Sequence, residues 1–309
     1  MGTTAFLFPG QGSQSVGMLQ AFAGEEVVRA TFAEASAVLD LDLWALCQHG
    51  PVEDLNRTEY TQPAMLTADI ATWRAWVAAG GDTPEVLAGH SLGEYAALVA
   101  SGALDFTDAV GLVAERGRLM QSATPQGSGA MAAIIGLDDA VLESVCAAAA
   151  QGEVVSCANY NAPGQVVIAG HASAVTRACA AAKTAGARRA LPLPVSVPSH
   201  CALMRGAATA LAATLHGTRL AQPAIPVIHN VDVDEHRDAD AIRDALARQL
   251  WMPVRWTDTI VALAARGVTR FVECGPGKVL AGLNRRIAED AACLALTDPD
   301  ALAAAVQGD

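Results

Sequence analysis

Cysteine pairs, clustered basic residues and long apolar runs are all missing from this chain, and each absence removes a class of protein. Its seven cysteines, Cys47, Cys146, Cys157, Cys179, Cys201, Cys274 and Cys293, are odd in number and scattered singly. They form no C-x-x-C pair and no Cys/His spacing suited to zinc, so neither a disulfide framework nor a metal site is expected. Such usage points to a reducing, cytoplasmic compartment. The N-terminus MGTTAFLFPG has no basic stretch ahead of its apolar residues, and Phe6 stands where a myristoylation signal needs Ser or Thr. Every uncharged run is interrupted by Pro, Gly, Asn or Gln, which argues against a membrane span. Lys and Arg total 20 against 32 Asp and Glu, a formal charge of −12. Phosphate attraction needs clustered cations, so neither nucleic acid nor an anionic membrane is expected as a partner.

Two phosphate-binding fingerprints also fail. The apolar run Thr4 to Phe8 reads as a buried strand leading into Pro9-Gly10-Gln11-Gly12-Ser13-Gln14, but Ser15 occupies the third glycine position of G-x-G-x-x-G. That loop is either a plain turn or one whose backbone N–H groups face a ligand. Gly275 to Lys278 lacks the spacing and the hydroxyl of a P-loop.

What is present centres on Val86 to Val99, VLAGHSLGEYAALV, which reads as strand, sharp turn and helix. A serine on such a bend has its hydroxyl pushed outward, with the next N–H and the helix N-terminus aimed at whatever binds in front. Gly89 and Gly93 suit a bend packed against its own strand and helix. Those are the needs of an acyl-transfer nucleophile, Ser91; a plain strand-to-helix turn is the alternative.

The 309 residues, 52% of them apolar, suffice for one large domain with a smaller insert. Glu25 to Leu39 and Gln62 to Ala79 read as amphipathic helices separated by a polar stretch. In the helix Thr107 to Ser122, residues Ala109, Val113, Arg116 and Met120 share one face, which puts an arginine among apolar neighbours. An inward arginine demands an anion, either a ligand or a buried carboxylate. From Gly129 to Pro194 the pattern becomes β-α-β-β-α-β, the order of a ferredoxin-like unit. Its runs are Ala130 to Ile135, Val154 to Ala158, Val166 to Ala169 and Ala190 to Leu193, with helices Ala140 to Ala150 and Ala172 to Ala185. The remainder alternates: strands Val227 to Val231, Thr269 to Cys274 and Cys293 to Leu296, and helices Ala239 to Trp251, Trp256 to Arg266 and Val279 to Ala288. A mainly parallel sheet covered on both faces follows.

A serine nucleophile needs a base. Pro198 keeps the chain extended and Ser199 reads as an N-cap, which places His200 at the start of a helix running to Leu215. His229 in PVIHNV is the serious rival. His90 is expected to point away from the bend, His49, His171, His216 and His236 read as surface residues, and Cys201 as the nucleophile is a weaker reading still. Asp105, Asp108, Asp138 and Asp139 all stand at helix starts, so none is placed as the third member of a triad. A dyad, its imidazole oriented by a carbonyl oxygen, fits better.

The segments FPGQGSQ, GHSLGEY, ERGRLMQ, GAMAAIIGL, ANYNAPGQVVIAG, VPSHCALM, QLWMPVRW and ECGPGKVL, in that order along essentially the whole chain, closely resemble the malonyl-CoA:acyl-carrier-protein transacylases, acyltransferases that load malonyl units for fatty-acid synthesis. Eight collinear motifs make chance negligible. The resemblance implies an α/β fold, with a hydrolase-like, mainly parallel sheet domain formed by 1–125 and 198–309 and a ferredoxin-like insert at 126–197. It implies that Ser91 takes the malonyl group as an ester, with His200 as general base and then general acid. Backbone N–H groups of Gln11 and Leu92 would form the oxyanion hole, Arg116 would pair with the free carboxylate of malonate, and the backbone carbonyl of Gln249 would orient His200. The substrate implied is malonyl-CoA, with no permanently bound cofactor, and the acceptor is the phosphopantetheine thiol of a holo acyl carrier protein. A monomer is expected. Because carrier and CoA are anionic, a basic rim is expected among Arg118, Lys183, Arg188, Arg189, Lys278, Arg285 and Arg286. A serine hydrolase, a polyketide acyltransferase, the malonyl-loading subunit of malonate decarboxylase and a non-catalytic carrier-binding module are the alternatives. The absence of fused carrier or ketosynthase sequence favours a dissociated pathway.

Overall fold

A computed structural model describes residues 2–195 and 197–308. Among the described residues nine strands form two sheets: β1 (Thr3–Phe8), β2 (Val86–Gly89), β3 (Gly129–Ile135), β4 (Val155–Ala162), β5 (Gln165–His171), β6 (Arg189–Pro192), β7 (Val227–Ile228), β8 (Val268–Glu273) and β9 (Ala292–Ala295). The larger sheet has the order β7-β2-β1-β8-β9, with every neighbouring pair parallel.

Strand β1 lies at its centre, and its residues alternate between two cores. Phe6 and Phe8 enter one core beneath the helix Thr58–Ala78, with the Phe6 ring 5.5 Å from Trp73 and edge-on to it. Ala5 and Leu7 enter the other with Phe271 and Trp256. These four of the six β1 residues are fully buried because parallel strands are covered on both faces.

The second sheet, β4-β5-β3-β6, is antiparallel and follows the expected β-α-β-β-α-β order, its helices being Asp139–Ala150 and Ala172–Thr184. One face packs on those helices through Ile134, Leu142, Cys146, Ile168 and Val175. The other face, through Met131, Ala158, Val167 and Ala169, packs on Cys201, the residue after His200. Backbone bonds from Tyr160 to Val254 O and from Val254 to Ala158 O tie this sheet to Val254, which is buried in the same core as Ala5 and Leu7. The smaller sheet therefore braces the histidine segment.

Several local expectations are corrected. A helix, Leu43–His49, occupies the supposedly polar stretch, capped by the Asp42 side chain, which accepts from the Ala45 N–H. The helix expected from Gln62 begins at Thr58 and passes through Pro63. Thr61 Oγ1 donates to Leu55 O and Arg57 O, and almost the whole helix is buried, so packing overrides the proline. Strand β7 stops at Ile228 rather than Val231, because His229 N bonds Asp234 O and Val233 N returns to His229 O. The helix from Val279 ends at Asn284, four residues short, and an unexpected helix, Pro299–Gln307, follows β9.

Candidate active site

The turn from β2 into the helix Gly93–Ala100 is held by close backbone approach. A Cβ on Gly89 would lie 1.9 Å from the Gly93 carbonyl carbon, and one on Gly93 would lie 2.0 Å from Phe8 O at the end of β1. Only glycine fits there. Gly93→Ala is therefore expected to destabilise the fold by about 3 kcal/mol through overpacking against backbone. Gly111→Ala, at a helical position with nothing within 4 Å, is expected to leave stability equal or higher. Urea unfolding of the two variants checks the contrast.

Between these glycines Ser91 adopts φ 53°, a left-handed conformation that costs a non-glycine residue about 1–2 kcal/mol and turns its hydroxyl out of the bend. The strain is held in place by long-range bonds. Ser91 N donates to Asn230 Oδ1 at 2.7 Å, Asn230 Nδ2 donates to Gly89 O at 2.7 Å, and Gln249 Nε2 donates to Ser91 O at 2.9 Å.

His200 reaches the serine, but not from a helix start. It has φ 60°, its N–H donates to Leu250 O, and the turn Ala202–Met204 and the helix Arg205–Gly217 begin only after it. Ser199 makes no cap, since the residues at the two N-cap positions are Cys201 and Met204. His200 Nδ1 lies 2.7 Å from the Gln249 backbone oxygen, an acceptor only, so Nδ1 carries the proton. Nε2 is then free to accept from Ser91 Oγ at 2.7 Å. Burial first, and the nearby Arg116 guanidinium second, push the imidazole pKa down to about 3, so the ring is neutral near pH 7 with Nε2 as its acceptor.

Arg116 is buried, as its helical face predicts, and Nη2 donates to Ser91 Oγ at 3.3 Å and to Gln249 Oε1 at 2.9 Å. Its guanidinium lies 5.4 Å from the Tyr95 ring centroid. Among the described residues it has no carboxylate within 4.0 Å and its Nε has no hydrogen-bond partner. The structural ion pair is thus absent, and a guanidinium always carries its charge. Burial lowers its pKa, with Tyr95 and Glu94 opposing.

The remaining expected residues sit around this centre. Gly10 packs on the serine turn: a Cβ there would lie 2.4 Å from His90 O and 3.6 Å from Leu92 N, so the first loop brings Gln11 alongside. The N–H groups of Gln11 and Leu92 donate to no protein acceptor among the described residues. A cavity of about 300 Å³ opens beside Gln11, lined also by Asn56, Thr58, Leu193, Pro194 and Val195. A larger groove of about 540 Å³, lined by residues including Arg29, Phe32 and Trp44, contains none of the expected site residues.

His90 points away, with Nε2 2.8 Å from Asn161 Oδ1. His229, the rival base, is buried against Glu94 with Nδ1 2.7 Å from Oε1. The Cys201 thiol is buried, donates to Pro198 O, and is pushed up to about 11 by burial, so it is protonated near neutral pH. Asp105 and Asp138 cap the helices that follow them. No group of three or more His, Cys, Asp or Glu among the described residues is arranged to hold a metal. Of the supposed basic rim, Arg118 pairs with Glu115, Arg285 donates to Cys293 O, and Arg286 binds Gln165 and Pro163 O in the second sheet's β4–β5 turn. Lys183, Arg188, Arg189 and Lys278 are exposed.

Glu94, Asn230 and the Gln249 side chain were not anticipated from sequence. A signal for the first existed: one carboxylate in an otherwise uncharged, mostly buried helix, GEYAALVA.

The Acyl transferase domain family matches residues 5–297. The chain is 59% identical to the malonyl CoA-acyl carrier protein transacylase of Escherichia coli K12 over 304 residues, 98% of each protein. It is 52% identical to the solved transacylase of that name from Coxiella burnetii, with a TM-score of 0.98 covering 99% of this chain and 97% of that one. A malonyl-transacylase solved in complex with its type II PKS acyl-carrier protein is 53% identical, with a TM-score of 0.98 over 99% and 100% of the two chains. The match over residues 5–297 and the identity to relatives along nearly the whole chain make this protein an acyltransferase, a member of the acyl transferase domain family.

Proposed function

We propose that this enzyme moves the malonyl group from malonyl-CoA to the phosphopantetheine thiol of an acyl carrier protein through a malonyl ester on Ser91. The observation that carries the reading is Arg116: a buried guanidinium with no carboxylate partner among the described residues, 3.3 Å from the serine oxygen. A three-carbon diacid esterified to Ser91 offers its free carboxylate to that guanidinium as a charge-assisted pair. The names of the relatives and the carrier complex of one of them support the same substrates.

In this reaction Ser91 Oγ gives its proton to His200 Nε2 and attacks the thioester carbonyl. The resulting oxyanion is received by the N–H groups of Gln11 and Leu92. Collapse breaks the carbon–sulfur bond, and His200 returns the proton to the departing thiol. The carrier thiol then gives its proton to His200, attacks the ester carbonyl, and Ser91 leaves with the proton. Gln249 O keeps Nδ1–H in place throughout, doing the orienting that an aspartate does in a triad. The loading half needs only malonyl-CoA, with no bound cofactor.

The division into a core of 1–125 and 198–309 and an insert of 126–197 is part of this reading, as is a cytoplasmic location. All seven cysteines are free, and no described helix is long and apolar enough to cross a membrane. Lys183, Arg188, Arg189 and Lys278 remain as the cations offered to the carrier.

Intact mass after brief mixing with malonyl-CoA, followed by holo carrier, tests the proposal. One malonyl adduct is expected on the parent and none on Ser91→Ala, with discharge much faster to carrier than to water. Absence of an adduct would remove the transferase reading, and equally fast loss to water would make the enzyme a hydrolase.

A further inference from the structure

The helix that leaves the serine elbow carries one charged side chain, Glu94, and it is fully buried. Every donor around its carboxylate belongs to a segment that builds the site. Oε1 accepts from His229 Nδ1 at 2.7 Å; Oε2 accepts from Asn230 N at 3.0 Å and from Gln249 Nε2 at 2.8 Å. The same Gln249 amide group donates to Ser91 O, and its Oε1 accepts from Arg116 Nη2. A chain of contacts therefore runs from Glu94 through the Gln249 amide to Arg116.

We propose that Glu94 is a positioning residue for acyl selection: its carboxylate fixes which way the Gln249 amide faces, and so aims the Arg116 guanidinium beside Ser91. This rests on the malonyl-transfer reading and deepens it.

The direction of the amide decides the outcome because its two ends are opposite in kind. A carboxylate and a backbone carbonyl are acceptors only, so the NH2 end must face Glu94 and Ser91 O, and the oxygen must face the guanidinium. A reversed amide would set oxygen against two oxygens and NH2 against N–H. The carboxylate is itself immobilised by His229 and Asn230, whose side chain also holds the serine turn. A buried carboxylate is costly to fold, and a purely packing role would be filled at less cost by a neutral side chain. The charge is opposite in sign to Arg116 and separated from it by one amide, which strengthens the hydrogen bonds between them.

The test is the ratio of kcat/KM for Ser91 loading by malonyl-CoA and by acetyl-CoA, both measured on one preparation so that the active fraction cancels. Glu94→Leu is expected to lower the malonyl-to-acetyl ratio by about 10-fold or more, mainly through malonyl-CoA. Glu94→Gln keeps an acceptor oxygen toward Gln249 and gives its NH2 to the other tautomer of His229, so the ratio should stay within about threefold of the parent. In an Arg116→Ala background, Glu94→Leu should change the ratio no further, since the effect passes through Arg116. An unchanged ratio in Glu94→Leu, equal loss with both acyl groups, or a shift that persists without Arg116 would each overturn the proposal. If neither Glu94→Leu nor Glu94→Met yields enzyme that loads acetyl groups, Glu94 is a folding requirement and the proposal also falls. The parent is measured first: if it loads neither acyl group, the failure lies in the transferase reading rather than in the role of Glu94.

Discussion

Replacing His200 with alanine is expected to slow loading of Ser91 by about 10⁵-fold, because nucleophile and base act as a unit and a serine hydroxyl without its base is a poor nucleophile. Stopped mixing with malonyl-CoA and quenched intact mass would read this directly. A loss under 10²-fold would assign the base elsewhere, with His229 next in line. The parent's pH dependence gives a second reading of the same residue. An ordinary histidine titrates near 6.5, but burial and the Arg116 charge push His200 down to about 3. The sign follows: the neutral, basic form persists as pH falls from 8 through 6.5, so kcat/KM for loading should stay flat down to about pH 5. An acid limb centred near 6.5 would mean that the ring is better solvated, or less exposed to the guanidinium, than its surroundings indicate. With malonyl-CoA bound, the substrate carboxylate offsets the Arg116 charge, so the limb in kcat should lie at higher pH than the limb in kcat/KM.

Arg116→Ala should change which acyl group is accepted. On the proposed reading, an acetyl group in the parent would leave the buried guanidinium without an anion, whereas a malonyl group would pair with it. Removing one partner of a buried pair typically costs about 3–5 kcal/mol, so the malonyl-to-acetyl ratio of loading rates should fall by about 10² or more. Arg116→Lys should recover little of that, because an ammonium lacks the planar fork that meets both carboxylate oxygens and would also have to satisfy Gln249 Oε1. Competition between malonyl-CoA and acetyl-CoA, read as the two ester masses on Ser91, measures the switch. A ratio unchanged in Arg116→Ala would show that the carboxylate is recognised elsewhere.

The serine that His200 meets and the arginine of the second prediction were both visible in local spacing. The elbow could be read because its glycines, serine and helix lie within a few positions of one another, and Arg116 because the 3.6-residue period put it on the face with Ala109, Val113 and Met120, all of which are buried. The two sheets were legible for a similar reason: parallel strands buried on both faces leave continuous apolar runs, and the β-α-β-β-α-β order is itself a sequence pattern. Local reasoning failed where a distant contact overrode it. Pro63 lies inside a helix because that helix is packed on nearly every side, and β7 ends early because His229 and Asp234 close a turn.

The sequence by itself determined the strand, turn and helix that carry Ser91, the inward face of Arg116, and the α/β architecture, since each is written in spacing of a few residues. Only the tertiary structure decided how these parts meet. It turned His200 into a left-handed bend by bonding its N–H to Leu250, and among the described residues it placed the Gln249 amide oxygen rather than a carboxylate on Arg116. It also joined Glu94 to Gln249 across 155 positions of chain. Hydrogen bonds over such separations leave no periodicity to read, because they exist only once the folded core has brought their partners together.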